Sequence, residues 1–356
     1  MFLFSEPSLL TDILTDQSFA QRMTLLAVIT VFMPLSAMTF FFYSLDKKEK
    51  DFGKALRDMG IESSRRVRDT YRAGHYLLPV FFVTFICFIS MFYILFADKI
   101  LEVTGDSIIL TGPDFGVGDN LLLMKRSSVA IAFAFFGGFI WSATNIVRRL
   151  IEYDLSPNVY YTAGLRIILA ATVSVTLSFL LPNDLTKSAL PAISLLAGMF
   201  PERIVTWFIE KYKDFIDGNR ILDEQMSIEN IEGVSVAHKE RLREIAIDNA
   251  QNLAETSFLQ LLIKTPFETR QLLDWIGQAK LLLYAKGSTD ALRDIGIRTV
   301  YDFFKGEKTK EGLQEIAESR GIDPAMMGLI FDHITNDEGI MALYNFQRKM
   351  NLPDGD

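Results

Sequence analysis

The 356-residue chain has one cysteine, Cys87, and three histidines, His75, His238 and His333. A single cysteine excludes an intrachain disulfide and any cysteine-based metal site, and the histidines have no metal-ligand spacing. No Ser/His/Asp, Cys/His or paired-carboxylate pattern stands out. The expectation is a non-enzyme with no catalytic residues, no cofactor and no metal. Residues 1–20 are acidic and lack the basic flank of a cleavable leader, so the first apolar run is expected to stay as an anchor.

Charge is also missing where it matters most. Ser127–Val147 contains none, yet Lys125 and Arg126 precede it and Arg148 and Arg149 follow. At 1.5 Å per residue this run matches a hydrocarbon core about 30 Å thick. Within it Ala130, Ala134, Gly138 and Ser142 recur at every fourth position, a spacing that lets another helix approach closely in lipid. Phe133, Phe136 and Ile140 occupy the other side. The fold class expected is all-α: a polytopic helical membrane bundle plus a soluble all-α domain.

The 29 phenylalanines and mean hydropathy of +0.21 are high for a soluble protein, yet charged residues reach 22 %. The two reconcile if the chain is divided. Residues 1–208 carry 18 basic and 18 acidic residues, whereas 209–356 carry 18 and 26, a net −8. We expect an N-terminal segment (1–22), a transmembrane domain (23–208), a linker helix (209–224) and a cytosolic helical domain (225–356).

About five spans are expected, near 23–45, 74–97, 127–147, 165–181 and 189–208. Leu9, Leu10, Ile13 and Leu14 fit either an amphipathic surface helix or a partly ordered terminus. Pro34 falls mid-run in the first span, where membrane helices tolerate it. Phe52, Leu56, Met59 and Val67 give residues 46–74 helical character. Residues 98–124, rich in glycine, read as an ordered loop or small hairpin with a β-like run at Ser107–Leu110. TGPDFGVGD lacks the setting of a phosphate loop. The fourth span repeats the small-residue spacing at Ala170, Ser174 and Ser178. The fifth meets Pro201-Glu202-Arg203. It either crosses with a bend or stops as a half-span, and we favour crossing.

Residues 46–74 hold nine basic residues against six acidic ones. Arg148, Arg149, Lys211 and Lys213 fall on the same side if five spans alternate. By the positive-inside rule that side is the cytoplasm of an inner (cell) membrane, with the N-terminus outside.

The soluble half contains an echo. LREIAIDNAQNL (242–253) and LRDIGIRTVYDF (292–303) align at an offset of 50 residues. Each copy is expected to end a helix at a small residue, Ala246 or Gly296. Ile247 or Ile297 then plugs the core, and Asn249 or Thr299 caps a second short helix. Together with Ile231-Glu232-Gly233-Val234, these stretches resemble the helix-hairpin-helix superfamily and the related C-terminal domain of the RNA polymerase alpha subunit, over roughly 225–335. The resemblance implies duplicated hairpin units, which in that superfamily bind DNA through hairpin amides or serve protein contact and self-association. The first hairpin has one glycine where the DNA-binding version usually has two. The net charge of −8 also opposes phosphate binding.

Arg166, Glu202 and Arg203 form a candidate interfacial ionic cluster, read either as an ion-pair network fixing helix ends or as a gate or substrate site. Trp275 and Tyr284 read as core residues, His238 as a solvated surface residue and Asp337-Glu338 as a charged turn. The leading expectation is a lipid-embedded homo-oligomer, channel-like or scaffold, assembled through the two small-residue faces. Its cytosolic domain would dock a protein partner. The alternatives are a membrane tether for DNA or a nucleic-acid machine, and a small-solute transporter.

Overall fold

The structure, a computed structural model, describes residues 17–61, 66–104, 107–112, 120–180, 189–211, 226–285, 288–305, 309–319 and 323–351. Among them there is no strand, only an isolated bridge between Ser227 and Asn249. The chain divides into two units, residues 1–46 with 71–218, and residues 47–70 with 219–356. The surface segment expected at Leu9–Leu14 and the end of the expected linker helix lie outside the described residues.

The first unit is a helical bundle. Its helices are α1 (Gln17–Thr39), the start of α2 (Leu45–Met59), α3 (Ala73–Thr104), α4 (Asn120–Ile151), α5 (Asn158–Leu180), α6 (Leu190–Met199) and α7 (Pro201–Lys211). Among the described residues, four helical stretches are long and apolar enough to cross a membrane: Phe19–Met59, Ala73–Leu101, Asn120–Ile151 and Asn158–Leu180. α6 is apolar but only 10 residues long. Phe200, at φ −135° and ψ 55°, separates it from α7, whose Pro201 opens a new helix without needing an N–H partner. The β-like run at Ser107–Leu110 is instead a helical turn, Ile108–Thr111. No strand lies among the described residues to pair with it, and Ser127 Oγ donates to the Leu110 carbonyl at 2.7 Å.

Each long helix buries one stripe. On α1 it is Leu26, Ile29, Met33 and Ala37, continued by Phe40 just beyond, and on α3 Tyr76, Val83, Cys87 and Met91. The reverse faces show Val28, Val31 and Leu35, and Leu77, Phe81 and Phe85, to the surroundings. Large apolar residues facing outward, with small and polar ones within, are the arrangement a lipid solvent allows. α1 leaves its α geometry through a π-turn at Phe40–Ser44 before α2 begins.

In the second unit, Lys47–Met59 of α2 buries Phe52, Leu56 and Met59. The α2 end is capped from the far end of the chain, with Lys349 Nζ reaching the Met59 carbonyl at 3.4 Å. The remaining helices are α8 (Val236–Arg243), α9 (Ala250–Glu255), α10 (Phe258–Lys264), α11 (Thr269–Ala285), α12 (Thr289–Asp294), α13 (Lys310–Ser319), α14 (Pro324–Asn336) and α15 (Glu338–Asn351). α11 is the spine. Leu272, Leu273, Trp275 and Ile276 are buried in its first half. Leu281 and Ala285 join the core of Leu292, Ile297, Val300, Phe303, Leu313, Met327 and Ile334.

Candidate functional site

The tightest packing in the bundle is backbone against backbone. A Cβ on Gly137 of α4 would fall inside the van der Waals envelope of the Leu195 carbonyl oxygen on α6. One on Gly198 would do the same to the Ala134 carbonyl. Gly138 is roomier, with Ile167 and the Gly198 carbonyl at 3.6 Å from an added Cβ. The stripe residues Ala130, Ala134, Ser142, Ala170, Ser174 and Ser178 are each no more than 1 % exposed, and Gly138 is buried with them. These faces are therefore spent inside one chain, joining α4, α5 and α6, and are not available to a second copy. Gly137 and Gly198 are missed by the fourfold spacing. The Gly137-Gly138 doublet is the one signal that could have found the first of them.

Where α6 stops, α5 supplies a charge. Arg166 lies two turns inside α5, which starts at Asn158 rather than near 165, so it is not at the mouth of the helix. The residue is 7 % exposed. Its guanidinium carbon stacks 3.4 Å over the Trp141 ring, Nη1 donates to the Met199 carbonyl at 3.1 Å, and Nη2 pairs with Glu202 at 2.5 Å. A cation here satisfies a carbonyl at the end of α6 and meets the negative end of its dipole. The Glu202 side chain is 63 % exposed and belongs to the first turn of α7. Arg203 does not join the pair; it is exposed and lies 5.3 Å from the Phe200 ring. Among the described residues, Arg166 Nε and the Ser142, Ser174 and Ser194 hydroxyls have no hydrogen-bond partner.

A second polar group ties the turn between α4 and α5. Arg149 and Asp154 form a buried pair at 3.7 Å. Tyr76 donates to the Leu155 carbonyl, Ser36 and Tyr160 share a 2.9 Å hydrogen bond, and Ser44 of the π-turn reaches the Leu150 carbonyl at 3.3 Å. Asp154 thus belongs to Arg149 and not to the Arg166 cluster.

In the second unit both copies of the sequence echo adopt one geometry. Ala246 and Gly296 have φ of 65° and 78°. Ile247 N–H returns to the Leu242 carbonyl at 3.0 Å, and Ile297 N–H to Leu292 at 2.9 Å. The N–H groups of Ala246 and Gly296 bond Arg243 and Arg293, each at 2.9 Å, which completes a Schellman stop in both copies. Ile247 and Ile297 are buried. Asn249 then caps α9 by accepting from Asn252 N–H at 2.8 Å, and Thr299 with Asp302 forms a capping box.

The hairpin at Gly233 (φ 83°) is held from below by Gln278. That buried amide accepts from Glu232 N–H at 2.8 Å and donates to its carbonyl at 3.3 Å. Glu232 in turn engages Arg293 at 3.5 Å and Arg298 at 3.2 Å, and Arg298 also binds Asp274. His238 is half-buried at the surface rather than freely solvated. It closes a capping box with Ser235 and packs against Trp275 and Phe267, with ring centroids at 5.0 and 5.2 Å. Trp275 is core; Tyr284 is half-buried against the core and also lines an open cleft of about 470 Å³ with Leu329, Asp332, His333, Asn336 and Asp337. Burial, then the Asp337 carboxylate that accepts its hydroxyl, raise the Tyr284 pKa. Asp337 caps α15 through Ile340 N–H, and no metal-ligating cluster exists among the described residues.

Burial opposes ionisation of Asp302. Hydrogen bonds from Lys305, Thr299 and Arg298 prevail and hold its carboxyl below the usual range. No protein-family model matches the chain, and comparison with curated proteins and with solved structures gives no match. The functional reading therefore rests on geometry.

Proposed function

We propose that the chain is a multi-pass membrane protein whose bundle anchors a cytosolic helical unit, built from helix-hairpin-helix-like repeats, that docks a protein partner. The observation that carries this reading is the membership of residues 47–70 in the second unit. That segment and residues 219–356 must then share one side of the membrane. The three long helices α3, α4 and α5 leave the chain on the opposite side, so the α6–α7 pair has to be a fifth, bent crossing. Five crossings with the basic 46–74 segment inside keep the N-terminus outside.

The scaffold version is favoured over a pore, because α4 and α6 meet backbone to backbone and resemble a solid anchor. Self-association loses its support in the small-residue faces, which are internal. The DNA-tether reading is weakened by the hairpin. The Glu232 N–H at the hairpin is taken by Gln278, and Arg293 and Arg298 are engaged by carboxylates. Single cysteines at Arg57, Asp119 and Asp290, placed in a Cys87→Ala background, test the topology in sealed inside-out vesicles. Labelling of 57 and 290 but not 119 by an impermeant maleimide is expected. Labelling of 57 and 290 from opposite faces would remove the fifth crossing and the shared cytosolic unit.

A further inference from the structure

We propose that the break between α6 and α7 is a binding site for a carboxylate ligand, with Glu202 as its tethered resident occupant. The inference goes beyond the docking role and rests on the reading of α6 and α7 as a bent membrane crossing. Interrupted helices inside a membrane expose backbone ends and are where ions and polar substrates are bound in proteins of this solvent class. Here the interruption at Phe200 is filled by one buried cation, Arg166, lying flat on Trp141.

The argument turns on which guanidinium groups are used. Nη1 is committed to the Met199 carbonyl. Nη2 holds Glu202, while Nε, which points off the same edge, has no partner among the described residues. An Nε–Nη2 edge can take a carboxylate through two parallel hydrogen bonds, and Glu202 engages Nη2 alone. Glu202 itself is largely exposed, so its displacement costs little burial. A free carboxylate that bridges Nε and Nη2 completes the edge and leaves Arg166 neutralised. The charge balance requires an anion, because an empty site would strand a buried cation.

Chemical rescue tests this on the full-length protein in detergent, with thermal unfolding as the readout and sodium sulfate keeping ionic strength constant. Glu202→Ala is expected to unfold at a lower temperature than wild type, and acetate should restore it in a saturable way. Wild type should also be stabilised by acetate, with half-saturation about tenfold or more higher, because the tethered carboxylate competes. The acetate response should vanish in Arg166→Lys, which keeps the charge but lacks the two-donor edge. If oleate in nanodiscs stabilises Glu202→Ala and acetate does not, the ligand is a lipid-borne carboxylate. If acetate suffices, it is a soluble one. An Arg166→Lys response equal to wild type would overturn the proposal, as would an unresponsive wild type or a Glu202→Ala that neither carboxylate restores. The pair would then be only a clamp on the helix break.

Discussion

The two units solve the same packing problem with opposite materials. In the bundle the decisive contacts involve residues with almost no side chain, Gly137 and Gly198 against neighbouring carbonyls. In the second unit they involve large ones, with Trp275 and Tyr301 fully buried around one helix. Lipid gives no hydrophobic drive between helices, so close backbone approach and a few buried polar links supply specificity. Water drives apolar burial directly, at roughly 25 cal/mol per Å², so a core of Leu, Ile and aromatic residues suffices and caps define its edges. The second unit is also the one with the echo, and its ion pairs tie the Gly233 hairpin to the second copy through Glu232, Arg293 and Arg298.

If that contrast holds, the sharpest injury is the smallest substitution. Gly198→Ala drives a methyl into the Ala134 backbone, which cannot move aside as a side chain can. A loss of about 3 kcal/mol or more is expected, read as failure to recover monodisperse protein from membranes. Gly138→Ala, with ordinary contacts, should be close to neutral. Equal damage at both glycines would show that helix propensity, not contact, governs the seam.

Gly277→Ala is the counterpart in the soluble unit. Its Cβ meets the Tyr301 ring at 2.5 Å, and Tyr301 is pinned by its hydroxyl on the Leu273 carbonyl at 3.1 Å. A cost of about 2 kcal/mol is expected in denaturant unfolding, below that of Gly198→Ala because a ring yields more than a backbone. The reverse order would break the comparison.

The helix stops and starts in the sequence echo were legible because they are local. A small residue that tolerates positive φ, the Ile that follows and a polar cap are all set within about six positions. What the echo could not convey was that Asp302 would be held ionised by three donors. Its folded pKa lies below the unfolded value, so the unfolded chain binds the extra proton. This contribution is complete above the unfolded value near 4 and fades as pH falls through the lower folded one. Asp302→Asn should cost about 1 kcal/mol at neutral pH and flatten the acid limb of a stability–pH curve. An unchanged acid limb would discard that assignment.

The mildest test swaps the two stop residues. Gly296→Ala should lose about 1 kcal/mol by backbone strain alone, since nothing lies within 4 Å of its added Cβ. Ala246→Gly should gain a similar amount, since φ of 65° suits glycine better. Shifts of the same sign would mean that the two copies do not share a mechanism.

Hydropathy and spacing alone determined that the chain is helical, that long stretches of its first 208 residues suit a membrane, and where the hairpin helices end. Each follows from interactions within a few residues or from transfer of a whole segment out of water. Whether a small-residue face meets another helix of the same chain or of another is not local, because the fourfold stripe looks the same in both cases. Only the tertiary structure turned those faces inward, gave Arg166 to Glu202 and Asp154 to Arg149, and placed residues 47–70 with the C-terminal helices. Those pairings depend on which distant segments arrive side by side, and no periodicity in one segment encodes the position of its neighbour.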